Sequence, residues 1–267
     1  MRKALLLFAS LVLVVGAVHA RPQARGPGVT VTYLYDNTTA APGTKADWGF
    51  ACLVETNGRR VLFDTGTQPE VLRANLAALK IDIATLDALV FSHDHGDHTA
   101  GVSVLGPRPG LPTFFPASFS EATRAAFARQ QLKAMPVTAP ADVVPGVMTS
   151  GQFGTAIPEE ALVVDTDQGL VVIFGCAHPG VVEMLRGIAR ARNRPIHLVL
   201  GGFHLLETPA DQVARIVTDF QAMRVAYAGP THCTGEAAIK AFRKAYGAHF
   251  VEGGVGRLVK VPIAAGH

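Results

Sequence analysis

Beyond residue 28 the chain reads first as a series of short strands and later as a regular exchange of strand and helix. Val29 to Tyr35 alternates apolar and polar positions with the period of a strand. Phe50 to Glu55 and Arg60 to Phe63 give two more, and the Asn57-Gly58 pair between them is a strong hairpin signal. Thr67-Gln68-Pro69-Glu70 has the form of a capping box, after which Val71, Leu72, Leu76 and Leu79 recur at helical spacing. A strand over Leu89 to Ser92 then runs into a polar loop.

Residues 106 to 150 interrupt this pattern with many prolines, the aromatic pair Phe114 and Phe115, and one predicted helix from about Glu121 to Leu132. The segment reads as an insert that caps a site, with an ordinary connecting helix and loops as the alternative. Phe114, Phe115 and Phe119 are either cavity wall or plain core, and Trp48 carries the same two readings. From Leu170 onward the rhythm returns. Strands at Leu170 to Phe174, Ile196 to Leu200 and Arg224 to Ala228 alternate with helices at Gly180 to Ala191, Pro209 to Met223 and Glu236 to Tyr246. This predicts the α/β class without separating two packed sheets from one doubly wound sheet.

With 267 residues and 49% hydrophobic content, the chain has enough apolar mass for one α/β domain. Residues 1 to 20 stand apart, because Arg2 and Lys3 precede an apolar run from Ala4 to Val18 that ends in Val18-His19-Ala20. This predicts a secretory signal peptide cleaved after Ala20, and one domain over 21–267 exported to the periplasm or secreted. The apolar run is shorter than the ~20 residues of a spanning helix, so no membrane partner is expected after cleavage. Removing Arg2 and Lys3 from the +3 balance leaves 22 basic against 21 acidic residues, so charge points to no partner. No nucleic-acid face is expected either, since the densest basic group, Arg190, Arg192 and Arg194, suits a solvated helix end. Three cysteines are too few and odd in number for a disulfide framework, although one pair could form in an oxidising compartment.

The loop after Ser92 changes the picture. Residues 93 to 98 read His-Asp-His-Gly-Asp-His. Side chains two apart on an extended segment share a face, so His93, His95 and Asp97 are expected to point into one cavity while His98 enters as the chain turns. Imidazole nitrogens with a carboxylate suit zinc, and also manganese or iron(II). Among the other histidines, His197 lies inside a predicted strand and is expected to be a satisfied core residue, and His249 has no motif around it. His178, His204 and His232 each follow an apolar strand and sit beside glycine. Cys176 and His178 are two apart and could face one metal.

The hexapeptide resembles the His-x-His-x-Asp-His signature of the metallo-β-lactamase superfamily. Val61-Leu62-Phe63-Asp64-Thr65-Gly66 resembles its first motif, a strand ending in an aspartate that braces the metal loop. Gly175-Cys176-Ala177-His178-Pro179-Gly180, Gly201-Gly202-Phe203-His204 and Thr231-His232-Cys233-Thr234-Gly235 are similar to a branch often described as metal-dependent hydrolases. That branch includes dihydropterin ribofuranosyl-aminobenzene phosphate synthases. The resemblance runs from about Val29 to Val261 and implies the αββα four-layer sandwich of that superfamily.

It also implies two metals, with His93, His95 and His178 holding the first and Asp97, His98 and His232 the second. Residues 99 to 177 contain no histidine, which departs from the family pattern, and a bridging aspartate is missing at Gly175 to His178. Either His178 is the missing imidazole without a bridge, or Cys176 takes the bridging place; Asp165 is a further candidate, with a surface turn as its alternative. Asp64 would orient a ligand imidazole, and His204 would act beside the metals or as a proton donor. The implied chemistry is hydrolysis, in which hydroxide held between two zinc ions attacks a carbonyl or phosphorus centre and Asp97 both binds metal and orients it. No convincing Ser-His-Asp or Cys-His nucleophile motif competes with water. Ester, thioester, lactam, lactone and phosphoester small molecules all remain open, and export argues against an intracellular pterin pathway. Two other classes stand beside this one: an iron-dependent redox enzyme with the same ligands, and a non-catalytic exported metal-binding protein.

Overall fold

The computed structural model describes residues 28–262, so the signal peptide expected over 1–20 lies outside the described residues. β1 (Val29–Tyr35), β2 (Ala51–Thr56) and β3 (Arg59–Phe63) form an antiparallel meander. Asn57 and Gly58 both take positive φ, 52° and 71°, as the two-residue hairpin requires. α1 (Pro69–Ala78) begins with proline in its first turn, but the expected capping box does not form. Gln68 is the N-cap, and the Thr67 hydroxyl donates instead to the carbonyl of Trp48. β4 (Ala88–Val90) joins β3 in parallel, and a single helical turn, α2 (Gly96–Thr99), follows the polar loop.

Residues 106–150 complete both sheets, and the start of their helix also bonds the metal loop, where the Ser120 N–H donates to Asp94 at 2.7 Å. β5 (Pro112–Pro116), α3 (Glu121–Arg129) and β6 (Lys133–Val137) extend the first sheet with parallel strands. The chain then crosses over, and β7 (Ala141–Val144) and β8 (Val147–Thr149) form the outer strands of the second sheet. The prolines that suggest loops bound a strand at Pro112 and Pro116 or lie on the edge strand at Pro136, where a missing N–H is tolerated.

The second half is β9 (Leu162–Thr166), β10 (Gly169–Phe174), α4 (Val181–Arg192), β11 (Ile196–Gly202), α5 (Ala210–Ala222), β12 (Tyr227–Thr231) and α6 (Glu236–Tyr246). β12 starts three residues beyond the expected Arg224, because Arg224 at φ 55° makes the left-handed turn that closes α5. β13 (Leu258–Val261) returns to the first sheet beside β1. The sheet orders are β13-β1-β2-β3-β4-β5-β6 and β12-β11-β10-β9-β8-β7.

Three apolar layers hold these elements. Tyr33, Phe63, Val90 and Phe114 of the first sheet meet Val171, Ile173, Leu198 and Leu200 of the second. On the outside of the first sheet, Leu72, Leu76 and Phe127 from the helices cover Leu62, Phe91, Phe115 and Phe119. On the outside of the second, Met184, Leu185, Phe220 and Phe242 cover Val172, Phe174 and Val199. The fold is therefore an αββα sandwich, and the aromatic trio Phe114, Phe115 and Phe119 is core. Strands buried on both faces read as continuous apolar runs, as β10 does. Strands β3, β4, β10, β11 and β12 all end at one rim, and Asp64, His93, Cys176, His204 and His232 follow those ends within a few residues.

Candidate metal centre

Two groups of side chains meet at this rim. In the first, His93 Nε2 lies 3.1 Å from His95 Nδ1, and the His178 ring centroid is 4.7 Å from His93 and 4.8 Å from His95. In the second, the His98 and His232 rings are 5.1 Å apart, and Asp97 Oδ2 lies 3.3 Å from His232 Nε2 and 3.7 Å from His98 Nε2. Asp97 thus faces His98 and His232, the partners that the resemblance implies for it. The chain enters α2 at Gly96, so the two-apart rule stops at residue 95.

Cys176 stands between the groups. Its Sγ is 3.3 Å from His98 Nε2, and the donor atoms of His93, Cys176 and His178 lie within 4.8 Å of one another, as do those of His98, Cys176 and His232. Asp165 is not there. It sits at the far end of β9, paired with Arg194 at 3.2 Å and Arg192 at 3.9 Å, which also shows that those arginines are more than a solvated helix end. His204 is exposed at the rim, with its ring centroid 4.1 Å from that of His178, and Cys176, His204 and Cys233 form a third close group within 4.8 Å. All three cysteines are free thiols.

A layer of buried partners orients these donors. Asp64 Oδ2 is 2.7 Å from His98 Nδ1, and the same carboxylate accepts from the Ser92 amide at 2.8 Å and the Ser92 hydroxyl at 2.7 Å. Ser92 Oγ is also 2.9 Å from His93 Nδ1, and Asn37 Oδ1 is 3.2 Å from His232 Nδ1. Glu159 accepts the backbone N–H groups of Cys176, Ala177 and His178 at 2.8, 2.7 and 2.8 Å, which fixes the loop that carries two donors. Trp48 Nε1 donates to Asp97 Oδ2 at 2.9 Å, and its ring lies 5.0 Å from that of His232.

Sequence reasoning missed Ser92, Asn37 and Glu159 and left Trp48 ambiguous, while Cys233, expected near the metals from its motif, does lie beside Cys176 and His204. Of the three missed, only Ser92 had a local signal, as the neighbour of a ligand-type histidine. Asn37 and Glu159 reach the site from 195 and 19 residues away from the groups they hold. His197 is half-buried on β11 against Tyr227, with its Nε2 unpartnered rather than satisfied, and His249 stacks on the other side of Tyr227.

The electrostatics differ between the groups. Burial, with several imidazoles close by, holds His93 well below its ordinary pKa and lowers His178 to about 3. Burial would lower His98 too, but Asp64 and Asp97 outweigh it and push the ring up to about 9. Burial raises Asp97, yet the nearby His232 and His98 bring it below the usual carboxylate range. Glu159 is raised to about 7 by burial despite its three amide donors. Burial also raises the Cys176 thiol, whereas at Cys233 the contacts with Cys176 and His204 overcome burial and lower it; in turn the Cys233 contact raises His204.

The donor set fits a cation. His178 Nε2 is buried without a hydrogen-bond partner, a state that costs about 1–3 kcal/mol unless something binds it, and His232 Nε2 has the Asp97 carboxylate 3.3 Å away without a well-aligned hydrogen bond. Each belongs to one of the two groups that share Cys176, and three imidazoles in one group, with two imidazoles and a carboxylate in the other, suit borderline divalent metals.

Comparisons with known proteins bear on the family and the fold. A 7,8-dihydropterin-6-methyl-4-(beta-D-ribofuranosyl)-aminobenzene-5'-phosphate synthase of Methanocaldococcus jannaschii is 25% identical over 259 residues, covering 79% of this chain and 88% of the relative. The crystal structure of Tm1679, a metal-dependent hydrolase of the β-lactamase superfamily, superposes with a TM-score of 0.74 at 25% identity, over 87% of this chain and 99% of that one. Human tRNase Z, short form, shares the fold at a TM-score of 0.59 and 13% identity, over 88% of this chain and all (100%) of the other. The family profile of the Metallo-beta-lactamase superfamily matches residues 49–255, from the glycine beside Trp48 to beyond His232, and the chain belongs to that superfamily.

Proposed function

We propose that the protein is an exported metal-dependent hydrolase that takes two zinc ions, one on His93, His95 and His178 and one on Asp97, His98 and His232, with Cys176 between them. The observation that carries this reading is the position of the Cys176 thiol, common to both donor groups. When bound, the metals supply an acidified water and a positive charge that polarises the scissile bond.

The chain's own residues do the rest. Asp64, Ser92 and Asn37 hold His98, His93 and His232 by their second ring nitrogens, so the remaining nitrogens face the centre. Asp97 accepts from Trp48 while facing His232 and His98, and so presents a fixed carboxylate beside the reacting position. His204, exposed next to His178 and held toward its protonated form by Cys233, is placed to give a proton to the leaving group. Export rests on the pattern of residues 1–20, and the pterin chemistry of the archaeal relative is accordingly not carried over.

The deciding experiment is elemental analysis of the mature protein, purified without added metal or chelator, followed by a screen of carboxylic esters, thioesters, lactams and phosphodiesters. Two equivalents of zinc with turnover that is lost in Asp97→Ala, fold retained, supports the reading. Iron in place of zinc turns the search to redox substrates, and unfolding on metal removal without any turnover points to a structural metal.

A further inference from the structure

A groove of about 480 Å³ runs between α4 and α5 and opens directly at His178 and His204. Its volume lies within the range of small-molecule sites. Pro179 and Gly180, at φ 107°, swing the chain from His178 into α4, so the groove begins where the first donor group ends. Its apolar wall comprises Val182 of α4, Ile216 of α5, and Phe203 and Leu205 from the loop after β11. Phe203 and Leu205 belong to the outer core of the second sheet, whereas Val182 and Ile216 remain half-buried.

The guanidinium groups along the groove are already matched. Arg186 of α4 reaches Asp219 of α5 at 2.7 Å and spans the two helices, while Arg215 is held by Asp211 at 2.7 Å on its own helix. A phosphate-binding wall needs guanidinium groups free to form paired hydrogen bonds with the anion. Here both guanidiniums that line the groove are taken up by carboxylates, while Glu183, Thr208 and Gln212 add acidic and neutral polar groups beside the apolar wall.

We propose that this groove holds the non-reacting part of the substrate, and that the part it holds is an apolar acyl chain. The inference rests on the hydrolase reading and narrows it: the favoured substrates are carboxylic esters or thioesters of apolar acids, rather than phosphoesters. The acyl carbonyl lies at the metal centre, and the chain extends past His178 along Val182 and Ile216. Hydrolysis adds water across the acyl bond, releasing the carboxylic acid and the alcohol or thiol, with the leaving group protonated.

The test uses the metal-loaded protein and a series of p-nitrophenyl esters from acetate to decanoate, with Val182→Trp and Ile216→Trp as groove-filling variants on different helices. The expected result is a kcat/KM that rises roughly tenfold or more from acetate to the longer esters, the scale set by burying a few methylenes. That ratio should fall toward one in each folded variant. A wild-type protein indifferent to chain length, or a preference that persists in both variants, overturns the groove assignment and leaves the hydrolase reading standing. If no ester is turned over, the ester-hydrolase reading fails on its own, and calorimetric binding of decanoate decides the groove separately. Binding that is lost in both variants supports it, and absent or undiminished binding overturns it.

Discussion

Asp64 Oδ2 lies 2.7 Å from His98 Nδ1, while Ser92 donates twice to the same buried carboxylate, so His98 is held by a partner that cannot itself move. Asp64→Ala should therefore weaken metal binding by ~10–100-fold with the ligand histidines intact. Competition against a chromophoric chelator measures this directly, and an unchanged affinity would show that packing alone aims the ring.

With one metal proposed for each donor group, the same contact should separate their binding by pH. His98 is pushed up to about 9, above an ordinary value of 6.5, so in the metal-free protein its stabilising proton is fully present below about 6.5. That contribution is lost as pH rises through about 9. His178, lowered to about 3, behaves oppositely: its contribution is present above 6.5 and lost as pH falls through about 3. A metal on His98 must displace a proton and one on His178 need not. Dialysis at pH 6.5 should leave one equivalent and at pH 8.5 two, with the weaker affinity rising by roughly tenfold per pH unit.

Cys176 Sγ is the donor that both groups share. Cys176→Ala should reduce bound metal to one equivalent or less, while Cys176→Asp, which restores an anionic donor, should recover the second. Elemental analysis alongside a thermal melt distinguishes loss of metal from loss of fold.

Trp48 is the single tryptophan of the chain, and its indole N–H is bonded to Asp97. Its fluorescence should change as the second equivalent of metal engages Asp97, and the change should vanish in Asp97→Ala. A signal that saturates with the first equivalent would place the tighter site at Asp97 instead.

Glu159 accepts three backbone N–H groups in a fully buried position. Glu159→Ala leaves three buried N–H groups without an acceptor, each at a cost of about 1–3 kcal/mol, so unfolding in urea should reveal a loss of ~3 kcal/mol or more. Because the loop it clamps carries Cys176 and His178, metal affinity should fall with it.

What the amino-acid sequence determined was local chemistry. The Asn57-Gly58 hairpin, the helix over 236–246 and the His-Asp-His-Gly-Asp-His loop are legible because a turn, a helical period or a ligand cluster is written within a few residues. The family motifs carried the fold class, since rhythm alone leaves one sheet or two open. Tertiary structure decided everything that depends on register across the sheets. It made residues 106–150 into strands of both sheets, because proline at a strand end or edge looks in sequence like proline in a loop. It sent Asp97 to the side of His98 by turning the chain at Gly96, and it sent Asp165 to the arginines at the opposite end of its strand. It brought Cys176 between two groups of imidazoles, with Glu159, Asn37 and Trp48 behind them. Asn37 with His232 and Cys176 with His98 meet only because one sheet packs on the other, whereas Glu159 and Trp48 reach partners at strand ends of their own sheets, which strand order rather than sequence distance sets.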